Sequence, residues 1–490
     1  MMLFFPKMTD GFKYPILRKL AVIMLIFKSL SAFAQNNAAL PLDWISYRNQ
    51  VLTQHPAARQ ADLRLSQARA YLMKARGGFD VKAYADMNGK NFGGKDYFVY
   101  SEAGLKWPSW MGLEFKSAFY QTGGAYLNPE SGLPENGQLA AGFTWNLGQG
   151  LLFDARRADL AQARIGLRAA EAERRVLLND LLLASAKAYW TWVVADNQLR
   201  VYEAALAQAR LRHDALKESV VQGDKPAIDT VETLLQVQSR QFDVNFARVE
   251  RQNAALEVAN FWWTDENTTL PPEQLPPAPA IDQMATPARP APELVSDLRR
   301  QALSSHPEVL LYDAKLQSLA VDRRLAREGQ KPDIVLNYNI LGKGLDFFPA
   351  PYPGEGLAVL TNNVKYGITV GYPLLNRKAR GTYQAASLKW RDTELALDQK
   401  RQTVALKFGQ YANELDNYAG QLLVFNELTT NYRLLLDAEQ EKFRFGESSI
   451  FLINTREQRW LDARIKYQKL LGEFYKTEAA LQWSAGVLSE

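Results

Sequence analysis

Two periodicities divide this chain. Val364, Tyr366, Ile368, Val370 and Tyr372 alternate with Asn363, Lys365, Gly367, Thr369 and Gly371. Leu139, Ala141, Phe143, Trp145 and Leu147 alternate likewise with Ala140, Gly142, Thr144 and Asn146. Val81–Lys90 and Ile334–Ile340 share the period of two. Each segment predicts a strand with one apolar and one polar face. Such strands suit a lipid-facing β-barrel wall around a wet interior, and equally a soluble sheet with one buried face. Aromatic residues near the strand ends (Tyr97, Phe98, Tyr100, Trp107, Trp110, Tyr120) favour the membrane, because rings collect at its interface.

After the strands the pattern becomes helical. No proline occurs from Leu152 to Gly223 or from Leu375 to Gly446, and both stretches are rich in strong helix formers. Each predicts a rod of roughly 105 Å at 1.5 Å per residue. That length implies a coiled-coil-like or tubular assembly rather than a globular helix. Gly223 and Gly446 suit the left-handed residue that ends a helix. Pro226 and Ser448 suit the start of return helices over about Ala227–Trp263 and Ser449–Trp483.

The chain repeats itself. Val51–Arg76 and Ala302–Arg327 share seven of 26 positions at a shift of 251, including His55/His306 and Pro56/Pro307. Leu151-Leu152 against Leu374-Leu375, and Gly223 against Gly446, both carry a shift of 223. Two rods of equal length follow. The 28 residues lost between the two shifts place an insertion in the first copy. Leu105–Gln138, with its own alternation (Leu113, Phe115, Phe119) and turn residues, reads as a longer external hairpin or loop. Eight prolines within 22 residues, from Pro271 to Pro292, form an extended connector between the copies. The expected organisation is a leader at 1–34, a first repeat at 35–263, a connector at 264–293 and a second repeat at 294–490.

Composition narrows the function. Arg18-Lys19, an apolar run from Leu20 to Phe27 and Ala32-Phe33-Ala34 follow the order of a secretory signal peptide, with cleavage expected after Ala34. No later stretch is apolar enough for a transmembrane helix. The formal charge is +5, but residues 1–34 hold five bases and one acid, so the remainder carries 53 bases and 52 acids. That balance gives nucleic-acid binding no electrostatic support. The chain lacks Cys, which excludes disulfides, iron–sulfur clusters and thiol catalysis. His55, His213 and His306 are the only histidines. The first and last, each before a proline, read as local hydrogen-bonding groups, and His213 as a solvated rod residue. Asn267-Thr268-Thr269 matches a glycosylation triplet of a kind common by chance. No catalytic set, phosphate loop or metal-spaced cluster is present, so no catalytic, cofactor or metal residue is named.

The order of these features resembles the TolC family of outer-membrane efflux proteins, from about Leu42 to Ala485. Gln54-His55-Pro56, Ser305-His306-Pro307, Tyr372-Pro373-Leu374-Leu375-Asn376-Arg377 and Gly446-Glu447-Ser448-Ser449-Ile450-Phe451-Leu452 carry the likeness. The resemblance implies a mostly α fold with a membrane β-barrel portion: a TolC-like α/β barrel made of two tandem repeats of strands plus long coiled helices. It implies a homotrimer in which each protomer gives four strands and four helical segments, set in outer-membrane lipid with a long periplasmic extension. It implies a periplasmic adaptor (membrane fusion) protein at the tips, through Gly223, Asp224, Gly446, Glu447 and Ser448, with Val221, Gln222 and Phe445 beside them. It places the periplasmic entrance at Asp229, with Leu452 and Thr455 where the second copy has no acid. The implied function is a passive exit duct for a tripartite efflux pump or type I secretion system, driven by an inner-membrane pump or ABC exporter. A periplasmic coiled-coil adaptor or structural protein without a pore is the alternative; its long helices fit, its strands do not.

Overall fold

The computed structural model describes residues 40–264, 268–281, 284–345 and 363–489. The expected leader with its cleavage point, and Asn267, lie outside the described residues. The first copy runs α1 (Trp44–Gln54), α2 (Pro56–Arg76), β1 (Lys82–Phe92), β2 (Lys95–Pro108), β3 (Leu113–Gly123), β4 (Gln138–Asn146), α3 (Ala155–Val221) and α4 (Ile228–Phe261). The second runs α5 (Pro292–Ser305), α6 (Pro307–Glu328), β5 (Asp333–Leu341), β6 (Val364–Gly371), α7 (Arg377–Arg444) and α8 (Ile450–Ala485). The rods α3 and α7 hold 67 and 68 residues, so each extends about 100 Å.

The helices lie in four lanes. The rods α3 and α7 each fill a lane. Between them, α6 and α8 both pack against α3 and α7. On the far side of α3, α2 and α4 share the fourth lane. The two composite lanes are spliced at the histidines. His55 meets the end of α4, its ring 5.8 Å from Phe261 and 5.9 Å from Trp263. His306 and Pro307 meet the end of α8, where a Cβ on Gly486 would lie 2.3 Å from the Pro307 ring. The main core collects there, with Tyr47, Leu182, Tyr189, Trp192, Val258 and Leu422 fully buried.

The six strands form one antiparallel sheet in sequence order, β1 to β6. This corrects one expectation and decides another. The described residues of a protomer carry six strands, not four. Of the two readings of the insertion, the hairpin holds and the loop does not: Leu105–Pro108 finish β2, Leu113–Gly123 is β3, and Gln138 opens β4. The β2–β3 turn lies beside the start of α3, where Glu114 meets Arg156 at 3.4 Å. An antiparallel pair satisfies its own backbone, so the sheet absorbs two more strands without a new edge.

The proline segment is not a free linker. Asn197 of α3 donates to the Pro279 carbonyl at 2.9 Å and accepts from the Ile281 amide at 3.0 Å. Leu42 donates to the Pro277 carbonyl, and Ala278 and Ile281 are buried. Prolines leave carbonyls without helical partners, and α3 supplies the donors.

Candidate functional site: the two-faced sheet and the rod tips

Register sorts the strand residues into two faces, because successive side chains point to opposite sides. One face carries Leu105, Trp107, Phe115, Phe143, Ile368 and Val370, all apolar. The other carries Lys82, Glu102, Lys116, Thr144, Asn337 and Lys365. Aromatic residues sit at both ends of the sheet. Trp107 lies 5.9 Å from Phe115 near the helices, and Tyr97 lies 4.9 Å from Tyr126 and 6.2 Å from Phe92 at the far end. Ten residues separate Tyr97 from Trp107, about 34 Å of strand, or about 26 Å along an axis tilted by 40°. A lipid-facing apolar band is about 25 Å tall. Phe98, Tyr100 and Tyr120, expected with the interfacial rings, instead point to the polar face.

The polar face is densely bonded on the inserted strands. Lys116 pairs with Glu102 at 2.7 Å, and Tyr84 donates a short hydrogen bond to the same carboxylate. Lys106 places its ammonium 4.3 Å from the Tyr84 ring. Among the described residues the two outer strands, β1 and β6, each have one edge unpaired.

At the opposite end both rods turn as expected. Gly223 has φ 83° and Gly446 has φ 81°. Asp224 donates to the Ser219 carbonyl and Glu447 to the Lys442 carbonyl, both at 2.9 Å. These bonds close matched Schellman turns. The return helices differ in their caps: Ser449 accepts from the Leu452 amide, whereas Ala227 offers no side-chain cap. Ser448, expected to start the return helix, instead donates to Glu439 at 2.5 Å. The two turns touch, with Lys225 5.2 Å from the Phe443 ring.

Asp229 lies half-buried in the first turn of α4; Leu452 and Thr455 lie in the first turns of α8. The group that ties these helices was not legible in the sequence. Arg212 of α3 grips Glu457 of α8 with two hydrogen bonds of 2.9 and 3.1 Å, and also reaches Asn454 at 3.0 Å. Asn454 in turn reaches Glu232 of α4. Fully buried Arg240 of α4 donates to Gln458 of α8 at 2.6 Å. Copy one and copy two are thus fastened by charge just above the tips. His213 is not a free solvated residue: its Nδ1 sits 2.9 Å from the hydroxyl of buried Thr233 across the α3–α4 hairpin.

The other two histidines do what their His-Pro context predicts. The Nδ1 atoms of His55 and His306 accept from the amides of Ala57 and Glu308, at 3.1 and 3.2 Å. Burial holds both imidazoles below their ordinary value of 6.5, favouring the neutral acceptor. Among the described residues no group of three or more potential ligands could hold a metal, and no helix is long and apolar enough to cross a membrane.

This geometry, long paired rods under a two-faced sheet, is the TolC-like fold of outer-membrane channels. The CmeC outer membrane channel of Campylobacter jejuni superposes with a TM-score of 0.61 at 12% identity, covering 90% of this chain and 85% of that one. The outer membrane protein VceC of Vibrio cholerae gives 0.62 at 13%, covering 90% and 95%. The MtrE outer membrane channel of Neisseria gonorrhoeae, in its open state, gives 0.64 at 16%, covering 90% and 88%. No protein-family model and no curated protein sequence matches the chain.

Proposed function

We infer that the protein is a passive exit duct through an outer membrane, assembled as a homotrimer. The carrying observation is that both sides of the protomer are unfinished in the same way. On one side stand the free edge of β1 and the outer face of α4, with Leu235, Phe242, Phe246 and Val249 exposed. On the other stand the free edge of β6 and the rod α7, with Leu388, Leu395, Leu406 and Val424 exposed. A free sheet edge in lipid leaves polar backbone groups that nothing hydrates. Joining one side to the other side of the next copy removes both faults, and such head-to-tail contacts form a ring where the rotation between copies closes. Three copies follow from the resemblance. They give twelve helical lanes and, with six strands each, an eighteen-stranded wall, the polar face inward.

The signal-like leader and the aromatic rows support placement in the outer membrane, with the rods reaching into the periplasm. The fold offers a conduit, not a catalyst. The tips around Gly223, Asp224, Gly446, Glu447 and Ser448 are the docking site for a periplasmic adaptor, which links the duct to an inner-membrane pump or ABC exporter. Asp229, Leu452 and Thr455 line the entrance, where three Asp229 carboxylates give a weak cation preference. The test is purification from detergent-resistant membranes, then liposome swelling in neutral sugars. Heat-dissociable trimers that admit sugar are expected; monomers, or trimers that leave liposomes sealed, would refute the duct. Gly446→Asp should leave trimers intact and lower efflux from cells. Wild-type efflux in that variant removes the tip from docking.

A further inference from the structure

The register brings one row of the polar face into line across all six strands. Lys82 lies opposite Lys106, Lys106 opposite Lys116, Lys116 opposite Gly142, Gly142 opposite Asn339, and Asn339 opposite Lys365. Four of the six positions are lysine. Like charges directly opposite across strands destabilise a sheet, and here three lysines stand in succession. Only Lys116 is neutralised, by Glu102 at 2.7 Å. Lys106 rests on the Tyr84 ring at 4.3 Å. Lys82 and Lys365 are exposed and make no ion pair among the described residues. Lys82 and Lys365 thus keep their charge without such compensation, and a local rule broken in that way marks a functional position.

We propose that this row is an anion-collecting band on the inner wall of the barrel, so that the outer half of the duct favours anionic solutes such as carboxylates and phosphates. The proposal rests on the reading that the polar face lines a channel. Strand tilt makes each row climb the wall, and three copies complete an inclined girdle. Eighteen strands about 4.8 Å apart, tilted about 40°, trace a wall roughly 36 Å across. Lysine stems of about 6 Å then hold the ammonium groups about 12 Å from the axis, near the Debye length of about 10 Å at 0.1 M salt. The band therefore acts on the whole bore at low ionic strength and fades at high salt. It stands at the opposite end of the duct from Asp229 and biases selectivity in the opposite direction.

Reversal potentials of purified trimers in planar bilayers, under a KCl gradient at low ionic strength, test this. The triple variant Lys82→Gln, Lys106→Gln, Lys365→Gln should lower the anion-to-cation permeability ratio by up to about tenfold, the low end of what focused charge supplies. The matching Lys→Arg variant should keep the wild-type ratio, and high salt should erase the difference. Unchanged potentials in the Gln variant overturn the band while leaving the duct standing. Absence of any wild-type conductance overturns the duct and the band together. If the Gln variant yields no trimer, inositol hexakisphosphate on wild-type channels decides. The rods cannot cross lipid, so insertion leaves the tips on the side of addition. Block from the barrel side alone supports the band; no block, or block from the tip side alone, overturns it.

Discussion

The two copies share a rod and differ in their sheet. The rods match to one residue, 67 against 68, and turn at glycines with φ of 83° and 81°. The sheet contribution is four strands in the first copy and two in the second. Rods lying abreast must end together, because the tips contact each other and share the Arg212–Glu457 clamp. A sheet has no such constraint. It grows by an antiparallel pair between β1 and β4 and keeps the same outer edges. The added strands also carry the chemistry: Glu102, Lys106 and Lys116 all lie on β2 and β3. Three of the row's four lysines, Lys82, Lys106 and Lys116, belong to the copy that grew.

The sharpest way to break this comparison is to make the copies alike. Excising residues 95–123 removes both added strands and lets β1 pair with β4. Trimers should survive with a narrower wall, roughly 24 Å rather than roughly 36 Å by strand spacing and tilt, and with lower bilayer conductance. Excising only 113–123 leaves an odd strand that arrives at the wrong end of the sheet, and trimers should vanish. Equal outcomes from the two excisions would deny that the pair belongs to the wall.

A second contrast concerns the splices between lanes. The second copy ends α8 at Gly486, with φ 79° and Pro307 pressed against it; the first ends α4 at Trp262 in extended backbone. Gly486→Ala combines left-handed strain with overpacking, about 2–4 kcal/mol together. Gly446→Ala, whose added Cβ meets open space, should cost only the strain, about 1–2 kcal/mol. Urea midpoints of the two variants check the order.

The smallest effect is pH. His55 and His306 have folded pKa values depressed below 6.5. The unfolded chain therefore takes up protons first, and stability rises with pH. The contribution is complete above 6.5 and is lost as pH falls from there through the folded values. His306 is buried and His55 half-buried, so His306→Ala should flatten the pH dependence of trimer melting more than His55→Ala. Equal slopes would contradict the assignment.

Much of this plan was legible because it is periodic. Alternation located β1, β4, β5 and β6 within a few residues, and proline-free stretches located both rods. The tip glycines and His-Pro caps were legible because φ and capping are local. The β2–β3 pair was legible only as a hairpin or loop, because its alternation (Leu113, Phe115, Phe119) is short and interrupted by polar residues and glycines. The Arg212–Glu457 clamp and the lysine row were invisible because both join residues distant in sequence. Only register and packing bring Lys82 level with Lys365.

Cryo-electron microscopy of the purified protein tests the central claim most directly. A three-fold particle is expected, with twelve helical lanes below eighteen strands, β6 of each copy paired with β1 of the next. A monomer, or a ring whose wall holds twelve strands with β2 and β3 lying outside it, would contradict the account.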